Sequence, residues 1–410
     1  MTEQTNTPEL RFPEFSYVWK SALLGDVSYI TKLAGFEFTK YVNYSNKGKV
    51  PAIRGLNVKN GRFNFKELKY IDDSDFSKLS RSKLLPKDIV FTYVGTIGNA
   101  AIVPNNTNWY LAPNVAKIRS TNVDPKFLLQ ILINPNFKRR EIFSWITTSS
   151  QPALSMSNIR NFKLYLPSIM EQEKLGEFFS KLDRQIELEE EKLELLKQQK
   201  KGYMQKVFSQ ELRFKDENGN DYPDWKLKKL SNIADIIGGG TPSTKKSEYW
   251  DGDINWFSPA EIGDKEFVST SQRRITEKGL EKSSAKMLPI GTVLFTSRAG
   301  IGKTAILSKE ATTNQGFQSI VPKENDLDSY FLYSMTSILK RNAEKVGAGS
   351  TFSEVSRKQM EQIKLLIPIL KEQKQIGRLF QIINRKINKQ IHKIELLKQR
   401  KKGLLQKMFV

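Results

Sequence analysis

The chain of 410 residues contains no cysteine. That excludes a disulfide framework, thiolate-ligated zinc or iron–sulfur centres, and any cysteine nucleophile. Histidine occurs once, at His392, so a histidine-rich metal site and two-histidine catalysis are excluded too. No apolar run approaches the ~20 residues that a membrane-crossing helix needs. The first ten residues, MTEQTNTPEL, are polar and lack a secretory apolar core. The expectation is a soluble, cytoplasmic protein. Acidic residues are in deficit, with 44 Asp+Glu against 66 Lys+Arg and a formal net charge of +22. Such a surplus points to a polyanionic partner, nucleic acid first, because each neutralised phosphate releases counterions. Hydrophobic residues reach 39%, enough for ordinary cores, and the length suggests two or three domains.

What the chain does have is a repeat. Residues 166–208 align with 367–409 without a gap, and 19 of 43 positions are identical. Pro167 matches Pro368, Glu171-Gln172 matches Glu372-Gln373, and Gly176 matches Gly377. The likeness extends upstream. Glu9–Phe12 (ELRF) recurs at Glu211–Phe214, and Trp19-Lys20 recurs at Trp225-Lys226. IVFTYVGTIGNAAIV (89–103) parallels VLFTSRAGIGKTAIL (293–307), and Asp124–Leu128 parallels Asp328–Leu332. The chain is two copies of one unit, each a mixed region followed by a basic helical segment. The boundaries drawn from the repeat are 1–165 and 166–208, then 209–366 and 367–410.

Each helical segment starts after a proline and runs about 40 residues, ~60 Å at 1.5 Å per residue. Its apolar residues fall in steps of four and three: Leu175, Phe179, Leu182, Ile186, Leu193, Leu196, Tyr203 and Val207, repeated from Ile376 to Met408. That is a coiled-coil seam, broken by Glu189 and Lys200 in one copy and by Gln390 and Lys401 in the other. An antiparallel pairing that sets Glu189 against Lys401 and Lys200 against Gln390 matches every other seam position with an apolar one. The expected fold class is α+β: two pseudo-repeated α/β regions joined by two long helices in an antiparallel coiled coil. That geometry suits contact with two inverted half-sites on a duplex.

The mixed regions read as short strands and turns. IVFTYV and VLFTSR are expected buried strands, and NIADIIGGGTPS a segment ending in a glycine turn. The two copies share this frame but differ in their loops: GGGTPSTKK (238–246) stands where the first copy has KLAGFEFTK (32–40). Amide, hydroxyl and cationic side chains on such loops reach bases and phosphates. The candidate DNA contacts are Arg54, Asn57, Lys59, Arg62, Thr96 and Asn99 in the first copy. In the second they are Thr241, Ser243, Lys245, Arg298, Lys303 and Gln315.

With its two variable regions, each followed by a repeated helix opening Leu/Ile-Pro and Glu-Gln, the chain resembles the DNA specificity subunit of type I restriction–modification systems. The resemblance rests on Leu166-Pro167 with Glu171-Gln172, Ile367-Pro368 with Glu372-Gln373, the GGGTPS turn, LFTSRAGIGKTAIL, and GAGST at 347–351. It covers essentially the whole chain. It implies two target recognition domains, each reading one half of a split double-stranded DNA sequence. It implies a helical spacer that sets the gap and docks two methyltransferase (modification) subunits, joined by motor/nuclease (restriction) subunits. The chain itself is then a non-catalytic, bacterial or archaeal subunit that binds no cofactor. S-adenosylmethionine, ATP and Mg2+ would be used by its partners. The competing reading is a structural coiled-coil adaptor with non-specific nucleic-acid binding.

Catalytic readings are weaker. SRAGIGKT (297–304) approximates a phosphate loop, but Ser297 stands where glycine is needed, and YVGTIGNA lacks the lysine. The repeat makes it a hairpin turn. Asn134–Phe137 (NPNF) lacks the second proline of the amino-methyltransferase motif and has no counterpart in the second copy. Glu190–Lys192 and Glu372–Lys374 lie on the expected helices and read as surface charges. His392 reads as a partly exposed helix residue.

Overall fold

The computed structural model describes residues 6–146, 152–298, 300–347 and 354–410; of the GAGST segment, 348–351 lie outside them. The chain forms two compact units. The first takes residues up to Lys192 together with Gln390–Val410, and the second takes Leu193–Lys389. The long helices run Ile169–Phe208 and Leu370–Met408, so the division falls inside both. Each unit holds the mixed region of one repeat, the beginning of that repeat's helix, and the end of the other helix.

In the first unit an antiparallel sheet has the spatial order Ser28–Lys32, Val115–Ser120, Ile89–Thr92, Ala100–Ile102. Strand Ile89–Thr92 is buried along its whole length, as a near-continuous apolar run requires. Its side chains alternate between two cores. Ile89 and Phe91 face the core that contains helix Pro125–Ile133. Val90 faces a smaller core under a three-stranded sheet of Lys69–Tyr70, Pro51–Ile53 and Tyr110–Leu111. The second unit repeats the plan. Its main sheet is ordered Ala234–Gly238, Gln318–Pro322, Val293–Phe295, Thr304–Leu307, and it adds Phe267–Val268 in parallel at the edge. Its small sheet is Arg273–Ile275, Trp250–Phe257 and Thr312–Thr313.

SRAGIGKT is indeed a hairpin. Thr296 Oγ1 donates to the Gly300 carbonyl at 2.7 Å and accepts from Lys303 N at 2.9 Å. Thr92 does the same with Thr96 and Asn99. Gly98 and Gly302 hold φ of 85° and 91°, where a side chain would be strained. A strand–turn–strand has no helix N-terminus to receive phosphates.

The Glu-Gln pair that opens each helix is an anchor. Arg11 Nε and Nη2 donate to Glu171 at 2.7 Å each, and Glu171 is 1% exposed. Arg213 repeats the fork on Glu372 at 3.2 and 2.8 Å. Gln172 donates to the Pro167 carbonyl at 2.9 Å and accepts from Asp124 N at 3.0 Å. Gln373 does likewise with Pro368 and Asp328. Asp124 and Asp328 in turn cap their helices by accepting from Phe127 N and Phe331 N at 2.8 Å. Gly176 lies so close to this cap that a Cβ would sit 2.8 Å from Phe127 N. The sequence expectation for Glu372 is therefore corrected. It is a buried, charge-paired anchor rather than a surface charge, because each fork ties the arginine of the ELRF segment to the helix start.

Within each unit the helix segments run antiparallel, as expected, but in a different register. In the first unit Glu189 accepts from Gln390 Nε2 at 2.7 Å and also pairs with Lys393, while Lys398 pairs with Glu190 at 2.6 Å. Lys401 meets Asp183 at 2.6 Å rather than Glu189. Lys200 does not meet Gln390; it lines a cleft of the second unit. Steps of three and four let an apolar seam match itself in several registers. The choice falls to Asp183, which lies beside the seam, and to the helix ends. Tyr203, expected in the seam, is 41% exposed.

Those ends are aromatic plugs. In the first unit Phe409 closes a cluster with Trp19, Phe127 and Phe179, at ring separations of 6.2, 5.4 and 5.5 Å. In the second unit Phe208 does so with Trp225, Phe331 and Phe380, at 6.4, 6.1 and 6.0 Å. Three rings of each cluster come from one repeat and the fourth from the other. Asn134 of NPNF is 3% exposed; it caps its own turn and donates to the Leu405 carbonyl at 3.0 Å. It is a tie to the helix end.

Candidate nucleic-acid interface

The second unit carries the better-formed set of exposed polar loops. Strand Ala234–Gly238 delivers the chain into GGGTPS, where Gly239 packs on the backbone of Thr313 and Asn314 and Gly240 on Ser284 and Ala285, with no room for a Cβ at either. The turn is thereby pinned, and Trp256 Nε1 fixes it further by donating to the Gly240 carbonyl at 2.8 Å. Thr241 and Gln315, candidates 74 residues apart, are brought together: the Thr241 hydroxyl donates to Gln315 Oε1. Ser243 and Lys245 are exposed on the same loop, and the Ser243 carbonyl accepts from Trp250 Nε1 at 3.2 Å. Trp250 is also the platform for Arg273, whose guanidinium lies 3.6 Å from the ring centroid and 5.8 Å from that of Trp256. Stacking holds the guanidinium plane while leaving its N–H edge free to bond guanine or phosphate. Arg273 and its exposed neighbour Arg274 escape sequence reasoning, because the only signal is a pair of cations on a short strand. Arg298 is half-buried. Lys303 is exposed beside the hairpin, with its stem against Gly263.

The first unit brings fewer of its candidates together. Arg54 and Thr96 line one recess of about 400 Å3 with Phe38, Tyr44, Leu56 and Asn114. Burial raises the Tyr44 phenol above its ordinary range, and the Arg54 charge opposes that rise. Arg54 is partly spent, because its Nη2 donates to the Glu67 carbonyl. Lys59 is exposed. Asn99 contributes its backbone to the hairpin. Two candidates are corrected. Asn57 is fully buried; it donates to the Asn64 and Lys66 carbonyls at 3.0 and 3.2 Å and accepts from Arg54 N, so it shapes the loop and cannot reach a base. Arg62 points to the long helix and pairs with Glu190 at 2.5 Å. His392 is exposed. Among the described residues, no helix is long and apolar enough to cross a membrane.

The two-fold plan is matched by comparison with known proteins. The model of the type I restriction modification DNA specificity domain matches twice, at residues 18–198 and 222–398. A Methanocaldococcus jannaschii protein, the type I restriction enzyme MjaIX specificity subunit, is 38% identical over 174 residues, 42% of this chain and 40% of its own length. The Escherichia coli EcoR124I/EcoR124II specificity subunit is 34% identical over 161 residues, 37% of this chain and 39% of its own. Each of these two matches thus spans well under half of the relative. A second M. jannaschii protein, the putative MjaX specificity subunit, is 26% identical over 378 residues, 88% of this chain and 87% of its own. In fold, the chain resembles the type I restriction–modification system S subunit from M. genitalium with a TM-score of 0.63 at 15% identity, covering 98% of this chain and 99% of the other. Two copies of one domain model, lying where the chain itself repeats and together covering most of it, show that the chain belongs to the type I restriction–modification DNA specificity family.

Proposed function

We propose that this chain is the non-catalytic DNA reader of a type I restriction–modification complex. Each unit recognises one half of a bipartite duplex target. The long helices set the half-site separation and offer the dock for two methyltransferase subunits, to which motor/nuclease subunits add. In this reading the methyl donor, ATP and Mg2+ belong to those partners, and this chain supplies address rather than chemistry. The observation that carries it is the repetition of one buried frame under loops that differ. The anchors, caps, hairpins and aromatic clusters recur residue for residue. The exposed GGGTPS loop with Arg273 on Trp250 has no counterpart in the first copy. A conserved frame under divergent loops suits two readers of different base sequences.

The test is duplex binding by the purified full chain, alone and with its co-expressed methyltransferase. Expected are affinity that falls steeply with salt, with a log–log slope of about −0.9 per phosphate neutralised, and methylation only when the partner is present. Methylation or cleavage by the chain alone would overturn the non-catalytic reading. Salt-sensitive binding with no preference among duplex sequences, and no methylation with the partner present, would favour the structural adaptor.

A further inference from the structure

The two units contain the same cleft in the same place, with different charge. In each it lies between the mixed region and the paired helix segments, and four of its lining positions correspond. Leu129, Gln130, Asp183 and Lys401 line the first; Tyr333, Ser334, Asn384 and Lys200 line the second. In the first unit the lysine is satisfied. Lys401, 13% exposed, meets Asp183 at 2.6 Å, and the other oxygen of Asp183 accepts from Gln130 at 3.1 Å.

In the second unit the lysine is kept and the acid is gone. Asn384, at the position of Asp183, gives its amide to the Tyr330 hydroxyl at 3.0 Å. Among the described residues Lys200 forms no hydrogen bond or ion pair, and burial lowers its ammonium below the ordinary lysine range. Glu266, whose charge acts on Lys200, is engaged by the Tyr330 hydroxyl at 2.6 Å and lines with Asp264 an adjoining recess that Lys200 also reaches. The cleft of about 420 Å3 receives two further cations, Lys303 and Lys340, and among the described residues no carboxylate lines it. Lys340 is held only loosely by Glu344, at 3.8 Å. The Thr304 and Thr336 hydroxyls, 2.7 Å apart, also line it, with Thr336 donating to the Tyr333 carbonyl at 2.5 Å. Three ammonium groups around an open space, one of them desolvated and unpaired, make a poor resting state unless an anion enters.

We propose that the cleft around Lys200 is a binding site for a phosphate group, created when the second copy carries Asn384 in place of the carboxylate that neutralises the first. A tetrahedral oxyanion accepts from several lysine donors at once, which a single carboxylate side chain does less well. The site stands whether or not the DNA reading above holds. The phosphate is either one of a bound duplex or a free one.

The test uses the full chain. Isothermal titration with sodium phosphate, against sodium chloride at matched ionic strength, is expected to show saturable binding of one phosphate per chain. Asn384→Asp restores the internal pair of the first unit without removing a lysine. It should weaken phosphate binding by about tenfold or more, while the chain keeps a cooperative thermal transition. Lys200→Gln should weaken it similarly. Duplex binding then separates the sources. A salt slope smaller by about one in Asn384→Asp assigns the phosphate to the DNA backbone. An unchanged slope with lost phosphate binding assigns it to a free phosphate. If both variants bind phosphate as the parent does, or the parent binds none and the slopes agree, the proposal falls. Absence of all duplex binding in the parent would overturn the DNA reading and leave this site standing.

Discussion

Beside its cleft the first unit pairs its buried lysine with an acid, and the second does not. Arg62 is tied to Glu190, Lys401 to Asp183, and Lys117 to the Arg81 and Lys83 carbonyls. In the second unit Arg273 rides on Trp250, Lys200 has no partner among the described residues, and Lys303 and Lys340 line an open cleft. The buried parts of the two units nevertheless agree to a few tenths of an ångström in hydrogen-bond length. Duplication thus preserved the interior, where a lost partner strands a polar group. It released the surface, where a changed side chain costs little.

The largest expected effects break the shared interior from outside the repeat. Phe409→Ala should destabilise the first unit by about 3 kcal/mol, and Phe208→Ala the second by a similar amount. Hydrogen exchange resolved by peptide should show each loss confined to the unit named, although Phe208 ends the first helix and Phe409 directly follows the second. Next come the anchors. Glu171→Ala and Glu372→Ala each leave an arginine facing a dry pocket, and about 2–3 kcal/mol is expected after allowing for the partial exposure of both arginines. Thermal unfolding should rank Glu171→Ala and Glu372→Ala below the phenylalanine variants and near each other.

A smaller pair of effects differs in size. Asp183→Asn should cost about 1 kcal/mol by stranding Lys401. Asn384→Asp should cost less, since the partner it gives Lys200 offsets the lost donation from its amide to the Tyr330 hydroxyl. Denaturant titration of the two variants checks this; equal losses would contradict the asymmetry. The smallest effect is a pH dependence. Burial pulls Lys138 down to about 8 from the ordinary lysine value, so folding disfavours its charged form. The penalty is fully present below pH 8 and fades as pH rises from there towards 10.5, where the unfolded chain also loses its proton. Lys138→Met should therefore raise the midpoint at pH 7 and lose that advantage near pH 10.5.

Much of this frame was legible in the residues. The repeat, the helix starts after Pro167 and Pro368, the antiparallel sense and the hairpin around Thr296 all follow from patterns that local physics enforces. The helix register did not follow, because a seam of alternating threes and fours is degenerate and Asp183 lies beside it. The crossing of helix ends was hidden for a related reason: Phe208 and Phe409 look like ordinary terminal residues until Trp225 and Trp19 are seen around them. Among the candidate contacts, Thr241 and Gln315 meet in the fold although 74 residues separate them. Asn57 was misread because a buried loop bridge and an exposed base reader call for the same amide. Arg273 was missed because its significance lies in Trp250, on the neighbouring strand.

The most direct measurement is methylome sequencing of a host without other methyltransferases that expresses this chain with its modification subunit. The account predicts one split motif, two short defined halves around a fixed unspecified gap, methylated on both strands. Replacing residues 209–366 with the corresponding region of a relative should change one half only. A continuous motif, or a replacement that alters both halves, would contradict the division of the target between the two units.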